Sequence, residues 1–159
     1  TEKVTLGDNV RIDDFCILSG SIQFGSYIHI GAYTGLYGQA GLTFEDFSGT
    51  SARVLIYTTS NDYSGEGMTN PTVPARFKKD IDGPVTIHKH ALLGAGTIVL
   101  PGVDIGEGTA VGAASLVSQD LLPWKLYVGA PARAVKERKK NLLELERQLW
   151  EEVRFSEKD

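Results

Sequence analysis

Cysteine, methionine and tryptophan are nearly absent from this chain of 159 residues, which has one Cys, one Met and two Trp. A lone thiol, Cys16, excludes an internal disulfide and reads as a small buried hydrophobe. Histidine is scarce too: His29, His88 and His90 are the only ones, so chemistry that needs several imidazoles has few places to stand. No apolar run approaches the ~18 residues of a membrane span, and no basic-then-apolar leader opens the sequence. A soluble, cytoplasmic protein with no membrane span is expected. Cations are outnumbered, 16 Lys and Arg against 20 Asp and Glu, and the net charge of −4 does not advertise a nucleic-acid surface.

What the chain does have is glycine, 18 of it, and a strict period. From Ile87 a branched aliphatic recurs every six residues, at Leu93, Val99, Ile105, Val111 and Val117, with Val85, Ala91, Thr97, Val103, Thr109 and Ser115 two places earlier. Six is neither the 3.6 of a helix nor the simple alternation of a hairpin, yet the inner pair obeys the period of two of a strand. Each hexad is therefore one very short strand and one turn, and three of them close a triangular coil.

The same period runs from the start of the chain through Leu6, Ile12, Leu18, Phe24, Ile30 and Leu36; it slips by two residues around 37–41 and resumes at Phe44, Thr50 and Ile56. Fifteen hexads predict an all-β solenoid, a parallel β-helix of about five coils and about 24 Å, at about 4.8 Å per coil. Between Ile56 and Val85 the repeat gives way to a polar stretch, 57–84, which reads as an extruded loop. From about Lys136 the residues turn charged, with Leu142, Leu145, Leu149 and Val153 at helical spacing. The expected organisation is a solenoid domain, 1–135, and a C-terminal helix and tail, 136–159.

The hexads, the extruded loop, and the run GAGTIVLPGVDIGEGTAVGAASLVSQDLLPWKLYVGAPARAVKER together resemble the hexapeptide-repeat acyltransferases, especially the galactoside, maltose and xenobiotic acetyltransferases. The loop run SNDYSGEGMTNPTVPA looks closest to members in bacterial surface-polysaccharide (lipopolysaccharide) pathways that acetylate nucleotide-linked amino sugars. The resemblance covers nearly the whole chain. It implies a left-handed β-helix, a homotrimer, acetyl-CoA as co-substrate, and active sites in clefts between subunits.

By that resemblance Ala95 and Ala113 mark the backbone that meets the pantetheine arm, and Ser118 and Gln119 lie farther along it. The galactoside branch often carries Thr-Lys at these last two places, so one phosphate contact is missing. Arg133 and Lys136 match the cations that reach the nucleotide end.

Acyl transfer from a thioester needs a nucleophile freed of its proton and a donor for the oxyanion. Family members commonly place a His in the loop after the third coil, and Asn61 stands there instead. Asn cannot take a proton. Candidate bases are then His29, on an outward position of the second coil, Asp62, beside Asn61, and His88 or His90 on the turn of the fourth coil; His88 and Tyr63 are also candidate substrate-binding residues, and Phe77 is a second candidate for stacking on a sugar or base. His88 and His90 on their turn read otherwise as a subunit contact. A sugar amine, which attacks as the free base, removes the need for a strong base, so the missing His points to N-acetylation, with sugar O-acetylation as the alternative.

A zinc carbonic anhydrase of similar fold needs three converging histidines, which the spacing of these three does not match, so no metal is expected. A non-catalytic structural solenoid is the rival from another class; the loop and the YVGAPAR closure argue against it.

Overall fold

The computed structural model describes residues 3–156. Short parallel strands wind around three faces. On the first, Lys3–Leu6 pairs with the far half of Ile17–Phe24, then with that of Gly35–Phe44, then Val85–Ile87 and Asp104–Ile105. The second runs through Val10–Ile12, Ile28–Ile30, Gly49–Thr50, Leu92–Leu93 and Ala110–Val111 to Lys125–Val128. The third pairs Gly35 to Tyr37 with Leu55–Tyr57, then Ile98–Val99 and Leu116–Val117.

These registers turn the six-residue period into columns. Phe24, Phe44, Ile87 and Ile105 stack on one face, Ile30, Thr50, Leu93 and Val111 on the next, and Leu36, Ile56, Val99 and Val117 on the third. Nearly all are closed to solvent. Burying each large aliphatic contributes about 1.5–3 kcal/mol before chain entropy is charged, so the columns carry the fold. Thr50, the polar exception, is buried with its hydroxyl accepting from the Gly31 amide at 3.2 Å. The slip at 37–41 is a register shift: Gly20 pairs with Gly38, but Ile22 pairs with Leu42.

The count of five coils is one short. Leu121 bridges Ile105, Tyr127 pairs with Val111, and the Ala132 amide donates to Leu116, which closes a sixth level whose hexad, Leu121 to Tyr127, runs two residues out of step with Val117. The last strand, Arg133–Glu137, turns back antiparallel on Lys125–Val128 and straddles the expected boundary at 135/136.

One corner carries a column of its own. Asn9, Tyr27, Phe47, His90, Gly108 and Trp124 all have left-handed backbone there, and each amide from Tyr27 onward donates to the coil before. Their rings stack, Tyr27 on Phe47 at 4.9 Å and Phe47 on His90 at 5.2 Å. Over this column lies helix α1, Asn141–Ser156. It starts five residues later than expected, and its inward stripe is Leu142, Glu146, Leu149, Trp150 and Val153; Leu145 is 62% exposed. The correction has a polar cause: Glu146 accepts from His90 Nε2 at 2.7 Å, from Lys89 Nζ at 2.5 Å and from Trp150 Nε1 at 3.1 Å. These bonds hold its carboxyl down to about 2 against the upward push of burial. Residues 157–159 of the expected tail lie outside the described residues.

Candidate active site

The loop at 57–84 is an ordered arm. Its stem is a two-stranded antiparallel ladder, Thr59–Ser60 with Ile81–Asp82, and the Gly83 amide closes it on the Thr58 carbonyl at 2.9 Å. Past the stem, Asp62 is a staple: Oδ1 accepts from the Ser64 hydroxyl and amide at 2.7 and 2.8 Å, and Oδ2 from the Gly67 amide at 2.9 Å. These bonds, Ser64's first among them, hold its carboxyl far below the ordinary carboxylate range. With both oxygens occupied, Asp62 shapes the arm.

Between the arm and the third face opens a cleft of about 700 Å³. Its floor is Tyr37 stacked on Tyr57, centroids 5.0 Å apart and planes 5° from parallel, continued by Ile98, Leu100 and Pro101. The arm adds Thr59, Ser60, Asn61, Tyr63, Lys78 and Asp80. Burial raises the Tyr57 phenol above its ordinary pKa, and the phenols of Tyr37 and Tyr63 add to this. Thr59 Oγ1 is shut from solvent and finds no partner among the described residues, and Asn61 Oδ1 accepts from the Asn70 amide at 3.3 Å. Phe77 is not part of the lining; it is half exposed under Arg76.

The structure thus brings Asn61 and Tyr63 to one cleft and leaves the other candidates elsewhere. His29 stands on the second face, its Nε2 2.9 Å from Asp13 Oδ2. His88 is on the first face between Glu45, at 3.1 Å from Nδ1, and Asp104, at 2.8 Å from Nε2. With His90 under the helix, the three imidazoles go to three separate carboxylate partnerships. Among the described residues no His, Cys, Asp and Glu group could hold a metal ion.

Ala95 and Ala113 sit on consecutive coils at the corner that begins the third face, both exposed, and their amides find no acceptor among the described residues. Free, outward N–H groups about one coil spacing apart suit a ligand that carries amide carbonyls. Ser118, Gln119 and Arg133 line a smaller cleft of about 150 Å³ at the far end of that face, and Lys136 lies exposed on the closing strand. Neither cation has an ion-pair partner among the described residues, which leaves both for an anion.

Sequence reasoning missed Tyr37, Tyr57, Lys78 and Asp80. A signal for the first two was present: each directly follows a core residue, Leu36 and Ile56, one coil apart on one face, so both point out and stack. Nothing in the sequence marks which residues of the returning limb face the cleft.

No family model matches the chain. It is similar to the dTDP-4-amino-4,6-dideoxy-D-glucose acyltransferase of Escherichia coli, 44% identical over 148 residues that cover 91% of this chain and 77% of that one. It superposes with a TM-score of 0.93 and 45% identity on AntD, an N-acyltransferase from Bacillus cereus in complex with dTDP and 3-hydroxybutyryl-CoA, covering 95% of this chain and 81% of that one. A variant of the same enzyme in complex with dTDP-4-amino-4,6-dideoxyglucose and coenzyme A superposes at 0.91 with 45% identity, over 94% and 80% of the two chains.

Proposed function

The chain belongs to the hexapeptide-repeat acyltransferases, and on that premise we propose that it transfers acetyl from acetyl-CoA to the amine of a nucleotide-linked amino sugar. The observation that carries this reading is the match along 95% of the chain to an N-acyltransferase seen with dTDP and an acyl-CoA. The cleft agrees with it. Its floor of two stacked phenols, continued by Ile98, Leu100 and Pro101, gives a sugar or base an aromatic and apolar surface to pack against, and no imidazole lines it. That lack suits an amine better than a hydroxyl, because the free amine is nucleophilic without a base. Its nitrogen attacks the thioester carbonyl carbon, a C–N bond forms as C–S breaks, and the proton shed by nitrogen ends on the departing sulfur.

Asn61 is assigned to hold the acceptor or the oxyanion, and Tyr63 to close the rim. The amides of Ala95 and Ala113 meet the pantetheine, Ser118 and Gln119 extend that path, and Arg133 and Lys136 meet the phosphates. The functional unit is a homotrimer. In support, these groups are spread along the third face and the closing strand of one protomer, and Tyr63, Met68 and Ile81 of the arm are left uncovered. Among the described residues no helix is long and apolar enough to cross a membrane. The reading places the enzyme in the cytoplasm, making an N-acetylated sugar for surface polysaccharide.

The test is an acceptor panel followed by release of free CoA thiol. Turnover is expected with dTDP-4-amino-4,6-dideoxyglucose and not with the same nucleotide sugar bearing a 4-hydroxyl. Acetylation of the hydroxyl form alone would sink the amine reading.

A further inference from the structure

Ser60 pairs with Ile81 at the end of the stem, and the next residues on its two limbs, Asn61 and Asp80, both line the cleft. Asn61 is the place where a proton-accepting side chain is missing from the arm. Asp80 lines the cleft, and its side chain is 28% exposed. One oxygen, Oδ2, accepts from Lys78 Nζ at 2.8 Å, and Oδ1 has no partner among the described residues. Asp62 has no oxygen to spare, and the carboxylates of Asp13, Glu45, Asp104 and Glu146 are engaged on other faces. Among the described residues Asp80 is the one carboxylate that both lines this cleft and keeps an oxygen free.

We infer that Asp80 receives the acceptor's amino group: its Oδ1 binds the nitrogen, as ammonium on arrival and, once that ammonium has given one proton to solvent, as free amine at attack, while Lys78 fixes the carboxylate from the other side. The inference deepens the reading of this cleft as the site of an amino-sugar acceptor and rests on it. A carboxylate already shaped to hold the Lys78 ammonium is chemically matched to a second one, through a short charge-assisted bond. The other polar side chains lining the cleft include three phenols and the Lys78 ammonium but no second carboxylate. Discrimination between amine and hydroxyl therefore falls to Asp80, with Asn61 on the same cleft lining.

The test compares Asp80→Asn and Lys78→Met with the wild type across pH, using dTDP-4-amino-4,6-dideoxyglucose as acceptor. Asp80→Asn should lower kcat/KM for that acceptor by about tenfold or more near pH 7, where the amine is largely protonated. The deficit should shrink above the pKa of the amine. Coenzyme A affinity, read by calorimetry, should stay within about twofold, and Lys78→Met should keep the preference for amine over hydroxyl. If the pair is only a clasp for the arm, both variants fall together and equally at every pH, which overturns the inference. A wild-type rate in Asp80→Asn overturns it while leaving the N-acetyltransferase reading intact. A wild type that acetylates no amino sugar overturns both.

Discussion

Trp124 fills the space that a side chain at Gly108 would need: a Cβ built on Gly108 falls 2.5 Å from Cδ2 of the indole, and Gly108 itself has a φ of +66°. The corner column loses one side chain at this level, and the indole folds into the vacancy beneath His90, the ring centroids 6.5 Å apart.

Gly108→Ala is therefore expected to cost about 2–4 kcal/mol, from left-handed strain and overpacking together. Gly65 is the control, since its φ is +84° and nothing lies within 4 Å of a Cβ there. Gly65→Ala should show only the strain, about 1 kcal/mol. Urea titrations followed by tryptophan fluorescence would measure both, and equal losses would remove the packing component.

His88 links three levels of the first face, between Glu45 and Asp104. Burial pulls its pKa down, but hydrogen bonds and charge from the two carboxylates outweigh this and raise it above the ordinary 6.5. The folded state thus holds the proton more tightly than the unfolded chain. The pair's stabilisation is complete below 6.5 and is lost as pH climbs through the raised value. Thermal melts of the wild type against His88→Gln should differ most at mildly acid pH and converge toward alkaline pH. Parallel curves would mean that the bridge contributes nothing.

Arg133→Ala should raise the KM for acetyl-CoA by about tenfold while turnover stays within about twofold, as expected for a group that meets phosphate in ground and transition states alike. Steady-state kinetics with varied acetyl-CoA would show it. A fall in turnover at constant KM would count against a phosphate contact.

The columns were legible because a solenoid repeats one packing problem: the position of Ile30 or Ile105 in its hexad already states which way it points. Even the slip at 37–41 could be read, since the hydrophobic pattern resumes out of step. The sixth level was missed because Leu121 follows Val117 by four residues instead of six, and only the single pair Leu121 and Tyr127 resumes the period after that slip, with Pro123 and Trp124 between them. Glu146 shows a second limit. By charge it belongs on the wet side of the helix, yet it turns inward toward His90 and Lys89, partners that only the tertiary path supplies. The arm was the hardest to read. Its order comes from side chains bonding nearby backbone, as Asp62 does, and from a stem of two residues on each limb, both too local and irregular for any periodic signal.

The arm also interrupts the stack at one seam. At most levels a strand lies against the coil immediately before it in sequence, whereas Leu42 and Val85 must meet across the whole excursion. Winding can spread from neighbour to neighbour on either side of that junction, but joining the two halves requires closing a long loop first. The early and late coils are thus two nuclei separated by one slow ligation, and the speed at which the stem zips sets when the spool becomes a single cooperative body.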